Sequence, residues 1–327
     1  MGCEYLEDDI SQIANHTSHI EQYIMNEKQR SELAGIFSEG IGFNCPMDQY
    51  TTFRVGGRAE AVCFPSELDL LRQTVLYLHN EDIPYLIVGK GSNLLVRDRG
   101  IEGVVIILKG KLAAIEKVGV EDNILLVGGG LAIAELLSYC GLEGLAGLEF
   151  LAGIPGSVGG AVFMNAGAFG KDIGSMVREI HMMTGRGELE IMPRSQLAFS
   201  YRSTSLPEGS VIYGITFKLD KDHKDKISGI IAGYLKKRKM GQPLDLPSGG
   251  SVFRNPPGDY AGRLIEKAGL KGTRIGGAMI SPKHGNFIVN TGNAKAADII
   301  ALMNLARDKV RDETGIILET EIKVVGE

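Results

Sequence analysis

Clustered cysteines are missing from this chain: Cys3, Cys45, Cys63 and Cys140 are scattered over 327 residues without paired spacing. That argues against a thiolate metal site, and a chain of this length does not need a disulfide scaffold. Histidines such as His181 and His223 also lack partners at ligand or triad spacing, so no metal is expected. Surplus positive charge is missing too. Thirty-five basic against forty acidic residues leave a net charge of −5, which points away from nucleic acid and anionic membrane as partners. The start "MGCEYLEDDI" has no basic and apolar leader, and Leu6 stands where a myristoylation motif wants Ser or Thr. Reduced thiols and a cytoplasmic location are the expectation. The uncharged stretch from Phe150 to Gly170 is broken by Pro155 and six glycines, so no membrane insertion is expected.

Three catalytic signatures fail on single residues. Phe253 occupies the second glycine position of a nucleophile elbow around Ser251. No glycine–lysine–hydroxyl run forms a Walker loop, and the Rossmann fingerprint breaks at Leu94 and at Ile133.

Glycine, by contrast, is abundant: 44 residues, a density that signals tight turns and close backbone approach to a ligand. "VGKGSNLL" follows a predicted strand and presents consecutive amides beside Ser92 and Asn93. "GIPGSVGGAVFMNAGAFG" adds Gly153, Gly156, Gly159, Gly160 and Ser157. Each loop alone reads more readily as a turn than as a ligand loop. Together they read as amide nests, which bind anions without charged side chains and suggest a shared diphosphate, hence a dinucleotide.

The hydrophobic fraction of 44% and charged fraction of 23% are those of a globular protein. Residues 1–44 read as a polar helical extension, 45–222 as one domain and 223–327 as a second. Leu68, Leu71, Val75 and Leu78 have helical spacing, and "YLIVG", "GVVIIL" and "VIYGITFKL" read as strands. A strand pair is expected around "GVEDNILLV", a helix over 131–139 and a hairpin turning at "GRG" within "EIHMMTGRGELEIM". The charged run "DKDHKDKISGIIAGYLKKRKM" marks the boundary near residue 222. Its basic cluster at 236–239 is the solvated last turn of a helix or, through Arg238 and Lys239, a phosphate contact. Helices over about 259–268 and 294–313 and a closing strand "ILETEIKVV" follow. Irregular alternation of strands and helices makes this an α+β chain.

Eight segments then stand in a telling order: "YTTFRVGG", "VGKGSNLLV", "GLEFLAGIPGSVGGAVFMNAGAFG", "YRSTSL", "GGSVFRNP", "AGRLIEKAGLKGTRIGGAMIS", "KHGNFIVN" and "LETEIKVVGE". Over residues 45–327 the chain resembles the UDP-N-acetylenolpyruvoylglucosamine reductase (MurB) family. The resemblance implies an FAD-binding domain of the vanillyl-alcohol-oxidase (PCMH) type followed by a smaller α+β substrate domain. It further implies FAD reduced by NADPH, reduction of UDP-N-acetylglucosamine enolpyruvate to UDP-N-acetylmuramate for peptidoglycan precursors, and a monomer or weak oligomer. The implied FAD residues are Thr52, Gly89, Lys90, Gly91, Ser92, Asn93, Leu94, Gly153, Ile154, Pro155, Gly156, Ser157, Gly159, Gly160, Ala161, Asn165 and Ala166. Ser92 and Asn93 occupy the loop where relatives with covalent flavin carry histidine, so noncovalent FAD is expected. The chain resembles the shorter subtype without a tyrosine-bearing substrate lid.

Reducing an enolpyruvyl double bond requires a hydride at one carbon and a proton at its neighbour, with negative charge stabilised between the two events. The resemblance assigns the proton to Ser251, the charge to Arg202 and a catalytic carboxyl to Glu321. Arg254, Asn255, Lys283 and His284 are implied at the substrate, with Asn286 in the same segment. Bland readings stand beside these. Ser251 could cap a turn, Arg202 could be a surface arginine, and Glu321 could share a solvent-facing strand face with Glu319 near Lys323. His284 reads equally as an exposed loop histidine. Gly249 and Gly250 read as clearance that lets Ser251 approach a substrate. The rival functions are an FAD oxidase of sugars or lactones on the same fold, and a catalytically silent FAD or UDP-sugar sensor.

Overall fold

The computed structural model describes residues 24–327; the extension expected at 1–44 lies partly outside the described residues. Helix α1 (Glu27–Ile36) starts on a capping box in which Asn26 accepts from the Gln29 N–H and Gln29 reciprocates. Glu60 ties it down by accepting from Met25 N–H (3.1 Å), the Arg30 guanidinium (3.3 Å) and Gly103 N–H (3.1 Å). Strand β1 (Ile41–Pro46) then pairs antiparallel with β2 (Arg58–Cys63), so the sheet begins ahead of the boundary expected at residue 45.

The first sheet continues from β2 to β5 (Ile101–Ile106) and β3 (Tyr85–Ile87), all three parallel. Helix α2 (Leu68–Asn80) makes the crossover, burying Leu71, Val75 and Leu78 as their spacing predicts. The second sheet is antiparallel throughout. It runs Leu189–Pro193, Val177–Met183, Val211–Lys218, β7 (Ile124–Gly128), β6 (Ile115–Lys117), with the expected hairpin at its edge. Helices α3 (Ile133–Glu143) and α4 (Val158–Phe163) cover one face around Phe150, Leu151 and Phe217.

Helix α5 (Lys224–Gly241) belongs with this second sheet, because Ile231 and Tyr234 pack against the same core and Ile227 is fully buried. The boundary expected near residue 222 therefore falls at the wrong end of α5. The charged texture that suggested it is the helix's wet face. A third layer contains α6 (Ala261–Lys267), α7 (Ala296–Thr314) and a small sheet of Arg274–Ile275, Ala278–Ile280 and Ile288–Asn290. Its core is shared with Phe53, Val55 and Leu95 of the first layer. No helix among the described residues is long and apolar enough to cross a membrane.

The chain end returns to the first layer. Of the expected closing strand only Lys323–Val325 is regular, pairing parallel with β4 (Leu94–Val96). Just after β4, Asp98 caps α7 across the layers, accepting from Ala296 N–H (2.8 Å) and Ala297 N–H (2.9 Å). A carboxylate there satisfies two otherwise orphaned amides and suits the positive end of the helix dipole. Asp98→Ala should therefore lower stability by about 0.5–2 kcal/mol in urea unfolding, and Asp98→Asn should also lower it, because its amide keeps one of the two acceptors and no charge. Equal midpoints for Asp98→Ala and the parent would show that the cap contributes nothing.

Candidate active site

The hairpin Ala198–Ser200 and Ser203–Ser205 turns on Tyr201 and Arg202. Arg202 sits there at φ +58°, a left-handed backbone that costs a non-glycine residue about 1–2 kcal/mol. The hairpin is held against that strain from behind. Thr204 Oγ1 donates to the Val162 carbonyl, and Asn165 donates to the Ser200 carbonyl (2.8 Å) while accepting from Gly174 N–H (3.0 Å). In this pose the guanidinium stacks 5.1 Å from the Tyr201 ring centroid, and Nε donates to Glu321 Oε1 at 2.7 Å.

Glu321 is gripped through its backbone as well. Its N–H donates to the Val252 carbonyl (2.8 Å), and its carbonyl accepts from Asn93 Nδ2 (3.1 Å). The side chain is 15% exposed, against 75% for Glu319. The expectation that these two carboxylates share a strand face fails, because only a single bridge, Phe253 to Thr320, orders the backbone there. Burial pushes the Glu321 carboxyl above its ordinary value, opposed by the neighbouring Arg202 and Arg254.

Ser251 lies one residue before Val252, half-buried, and its hydroxyl has no hydrogen-bond partner among the described residues. Of the preceding glycines, Gly249 does not supply substrate clearance. A Cβ on Gly249 would lie 2.1 Å from the Phe53 ring, and Gly250 adopts φ +78°. One glycine admits the core and the other makes the turn.

Two further arginines stand close to this group. Arg254 and Arg238 each bury an Nε without a partner among the described residues. Arg238 is not the solvated last turn that the sequence suggested. It packs on Gly153, lies 5.6 Å from the Phe169 ring centroid, and has its pKa lowered by burial and then by repulsion from Arg202. Arg202 and Arg254 both act on the Glu321 carboxyl, Arg254 also pairs with the exposed Glu319 (3.8 Å), and Arg238 is repelled by Arg202. The guanidiniums outnumber these carboxylates, a surplus that an anion would balance. The basic run at 236–239 was the available signal for Arg238, but helix periodicity alone did not turn it inward.

The two glycine loops are unequal. All five amides from Gly89 to Asn93 lack acceptors among the described residues, as a nest for an anion requires. Between Gly153 and Ala161 of the second loop only Gly153, Gly156 and Ser157 keep free amides among the described residues; Ile154 donates to Leu151 and Pro155 has none to offer. Val158 and Gly159 donate to the Leu131 and Gly129 carbonyls, Gly160 to the Ser157 hydroxyl and Ala161 to the Ser157 carbonyl. Asn165 and Ala166 are also internally bonded, so Gly159, Gly160, Ala161, Asn165 and Ala166 build the loop rather than present amides to a ligand. The loops abut: a Cβ on Gly89 would strike Ser157 Oγ, and one on Gly156 would lie 3.3 Å from Ser92 Oγ. Leu94 is buried in β4 and Lys90 is exposed. Thr52 donates its hydroxyl to the Ser248 carbonyl (2.7 Å) and its N–H to the Gly91 carbonyl (3.2 Å), tying the Ser251 loop to the amide nest. This donor set fits a diphosphate-bearing cofactor such as FAD.

The expected substrate residues divide. Arg254 joins the site, whereas Asn255 Oδ1 accepts from Ala261 N–H (3.1 Å) at the start of α6. Lys283 donates to the Lys239 carbonyl (2.6 Å), and His284 Nδ1 accepts from Asn286 N–H (3.2 Å) with its ring edge against Phe287. Burial, then Lys271, lowers the His284 pKa and favours the neutral ring.

Two outcomes follow from the pair's geometry. Arg202→Gly should be more stable than Arg202→Ala by about 1 kcal/mol in urea unfolding, because only glycine relieves φ +58°; the reverse order would show the turn to be unstrained. Glu321 titrates above its ordinary 4.5, so its contribution to stability is greatest below that value and is lost as pH rises through the folded pKa. Glu321→Gln should therefore gain stability relative to the parent as pH rises from about 4 to 7. Denaturation midpoints across that range check this, and a constant difference would contradict it.

Comparison with known proteins gives this geometry a family. A model of an FAD binding domain matches residues 59–192, and one described as the UDP-N-acetylenolpyruvoylglucosamine reductase C-terminal domain matches 242–325, just past α5. The UDP-N-acetylenolpyruvoylglucosamine reductase of Syntrophus aciditrophicus is 43% identical over 304 residues, covering 91% of this chain and 96% of that protein. The reductase of Geobacter sulfurreducens is 43% identical over 303 residues, covering 93% and 100%. The crystal structure of the Thermus caldophilus reductase superposes with a TM-score of 0.76 at 37% identity, covering 86% of this chain and 97% of that one. With similarity of this extent and with both domains matched, the chain belongs to the UDP-N-acetylenolpyruvoylglucosamine reductase family.

Proposed function

We propose that Ser251, Arg202 and Glu321 divide the work of reducing an enolpyruvyl ether. The chain is an FAD-dependent oxidoreductase that uses NADPH to convert UDP-N-acetylglucosamine enolpyruvate to UDP-N-acetylmuramate. FAD, when bound, supplies the hydride chemistry. The free amides of Gly89–Asn93 and of Gly153, Gly156 and Ser157 would hold its diphosphate.

Hydride addition at the methylene carbon leaves negative charge on the adjacent carbon and its carboxylate. Arg202 meets that charge with a guanidinium already oriented by the 2.7 Å bond to Glu321, so little reorganisation is needed. Arg254, with its unpartnered Nε, adds a second cation. Ser251 gives its proton to the carbanionic carbon. A hydroxyl is a feeble acid, but an enolate is basic enough to take its proton. Glu321, whose carboxyl is held above its ordinary value by burial, keeps Arg202 in place. One observation carries this reading. The Glu321 backbone bonds the Ser251 loop at Val252 and the amide nest at Asn93, so the segments of proton donor and cofactor cradle meet on one residue.

A soluble sugar-nucleotide substrate supports a cytoplasmic location, and the proposed form is a monomer or weak oligomer. The test separates the half-reactions. In Ser251→Ala, flavin bleaching by NADPH should be unaffected, since no substrate carbon needs a proton then. Reoxidation by the enolpyruvyl sugar nucleotide should slow by about 10²–10⁴-fold. If stopped-flow spectra show both steps at parental speed, Ser251 is not the acid.

A further inference from the structure

Nothing on the Ser251 side chain fixes its position. Upstream is Gly250 at φ +78°, with open space around it. Downstream the chain runs into Val252 and Phe253, both buried, and there it is clamped from two sides. One side is ordinary backbone. Val252 O accepts from Glu321 N–H (2.8 Å), Arg254 N–H donates to Glu319 O (2.9 Å), and Phe253 bridges Thr320.

The other side is a single residue. Asn286 O accepts from Val252 N–H (2.9 Å), its Oδ1 accepts from Phe253 N–H (2.9 Å), and its Nδ2 donates to Phe253 O (2.7 Å). The side-chain amide presents one carbonyl and one N–H to Phe253, as a neighbouring strand would. Asn286 is 4% exposed, so neither bond has water as a substitute. His284 holds Asn286 in turn: its Nδ1 accepts the Asn286 N–H (3.2 Å), which leaves the ring hydrogen on Nε2.

We propose that Asn286 is the positioning residue for the Ser251 proton donor, a side chain acting as the missing strand that holds Val252–Phe253 against the Glu321 segment. The proposal rests on Ser251 being the donor. Asn286 sits where the sequence suggested a substrate contact, yet both of its amide atoms are committed to Phe253. Aspartate cannot replace it, because a carboxylate offers no N–H and would face the Phe253 carbonyl with a second acceptor.

The test uses the full chain with FAD bound, in Asn286→Ala and in the near-isosteric Asn286→Asp, which keeps the acceptor for Phe253 N–H. Flavin reduction by NADPH should match the parent. Reoxidation by the enolpyruvyl sugar nucleotide should slow about 10- to 100-fold, the scale of a misplacement near 1 Å. Its solvent-deuterium isotope effect should rise as proton delivery becomes limiting. Independently of turnover, amide hydrogen exchange in the peptide spanning residues 247–256 should accelerate. Equal slowing of both half-reactions would reduce Asn286 to a purely structural role and overturn the proposal. So would parental reoxidation in both variants. Ser251→Ala run alongside separates the two ideas. If it leaves reoxidation fast, the donor assignment itself fails; if it slows while the Asn286 variants do not, only the positioning inference fails.

Discussion

A half-buried carboxyl facing a guanidinium on a left-handed turn is the constraint around which this molecule is organised. Burial alone would push Glu321 toward its neutral form, and Arg202 at 2.7 Å opposes that. Neither partner could keep this geometry unaided. Arg202 needs Asn165 and Thr204 to hold its hairpin on the second layer, and Glu321 needs Val252 from the third layer and Asn93 from the first. The pair is thus a junction of all three layers. Strain at Arg202 persists because its surroundings over-determine it, as strained residues at functional sites generally do.

The same junction explains the charge distribution. The chain is acidic overall, yet Arg202, Arg238 and Arg254 outnumber their neighbouring carboxylates, Glu321 and the exposed Glu319. A site of that kind favours ligands with several negative charges, such as a carboxylate and a diphosphate on one molecule. Cofactor recognition works differently. Five consecutive backbone amides offer partial positive charge fixed by the fold, with no side chain to reorganise. In the proposed division, cationic side chains would face the reacting anion and backbone dipoles the cofactor.

Glycine density turned out to conceal several separate requirements. Gly249 admits the Phe53 ring, Gly250 supplies a positive φ, and Gly89 lets one loop lie against Ser157 of the other. Only part of the second loop presents free amides, because α4 and the turn between β7 and α3 use the rest. A sequence reader sees identical letters in all these places. What separates them is the atom standing opposite each missing side chain.

Local pattern was enough for helices such as α2, for the hairpin Val177–Met183 with Leu189–Pro193, and for the α+β class, because burial periodicity and turn chemistry are written residue by residue. The ordered motifs were enough for the family, the FAD cofactor and the reaction. The side to which a residue turns was not legible. Arg238 looked solvated, Glu319 looked equivalent to Glu321, the internal hydrogen bonds of Asn165 and Thr52 were invisible, and α5 looked like the start of a new domain. Each depends on contacts between residues far apart in the chain, as with Asn93 and Glu321 or Arg238 and Gly153. The sequence by itself determined which chemical groups the protein owns. Tertiary structure decided which of them are already hydrogen-bonded and which remain free to bind or react.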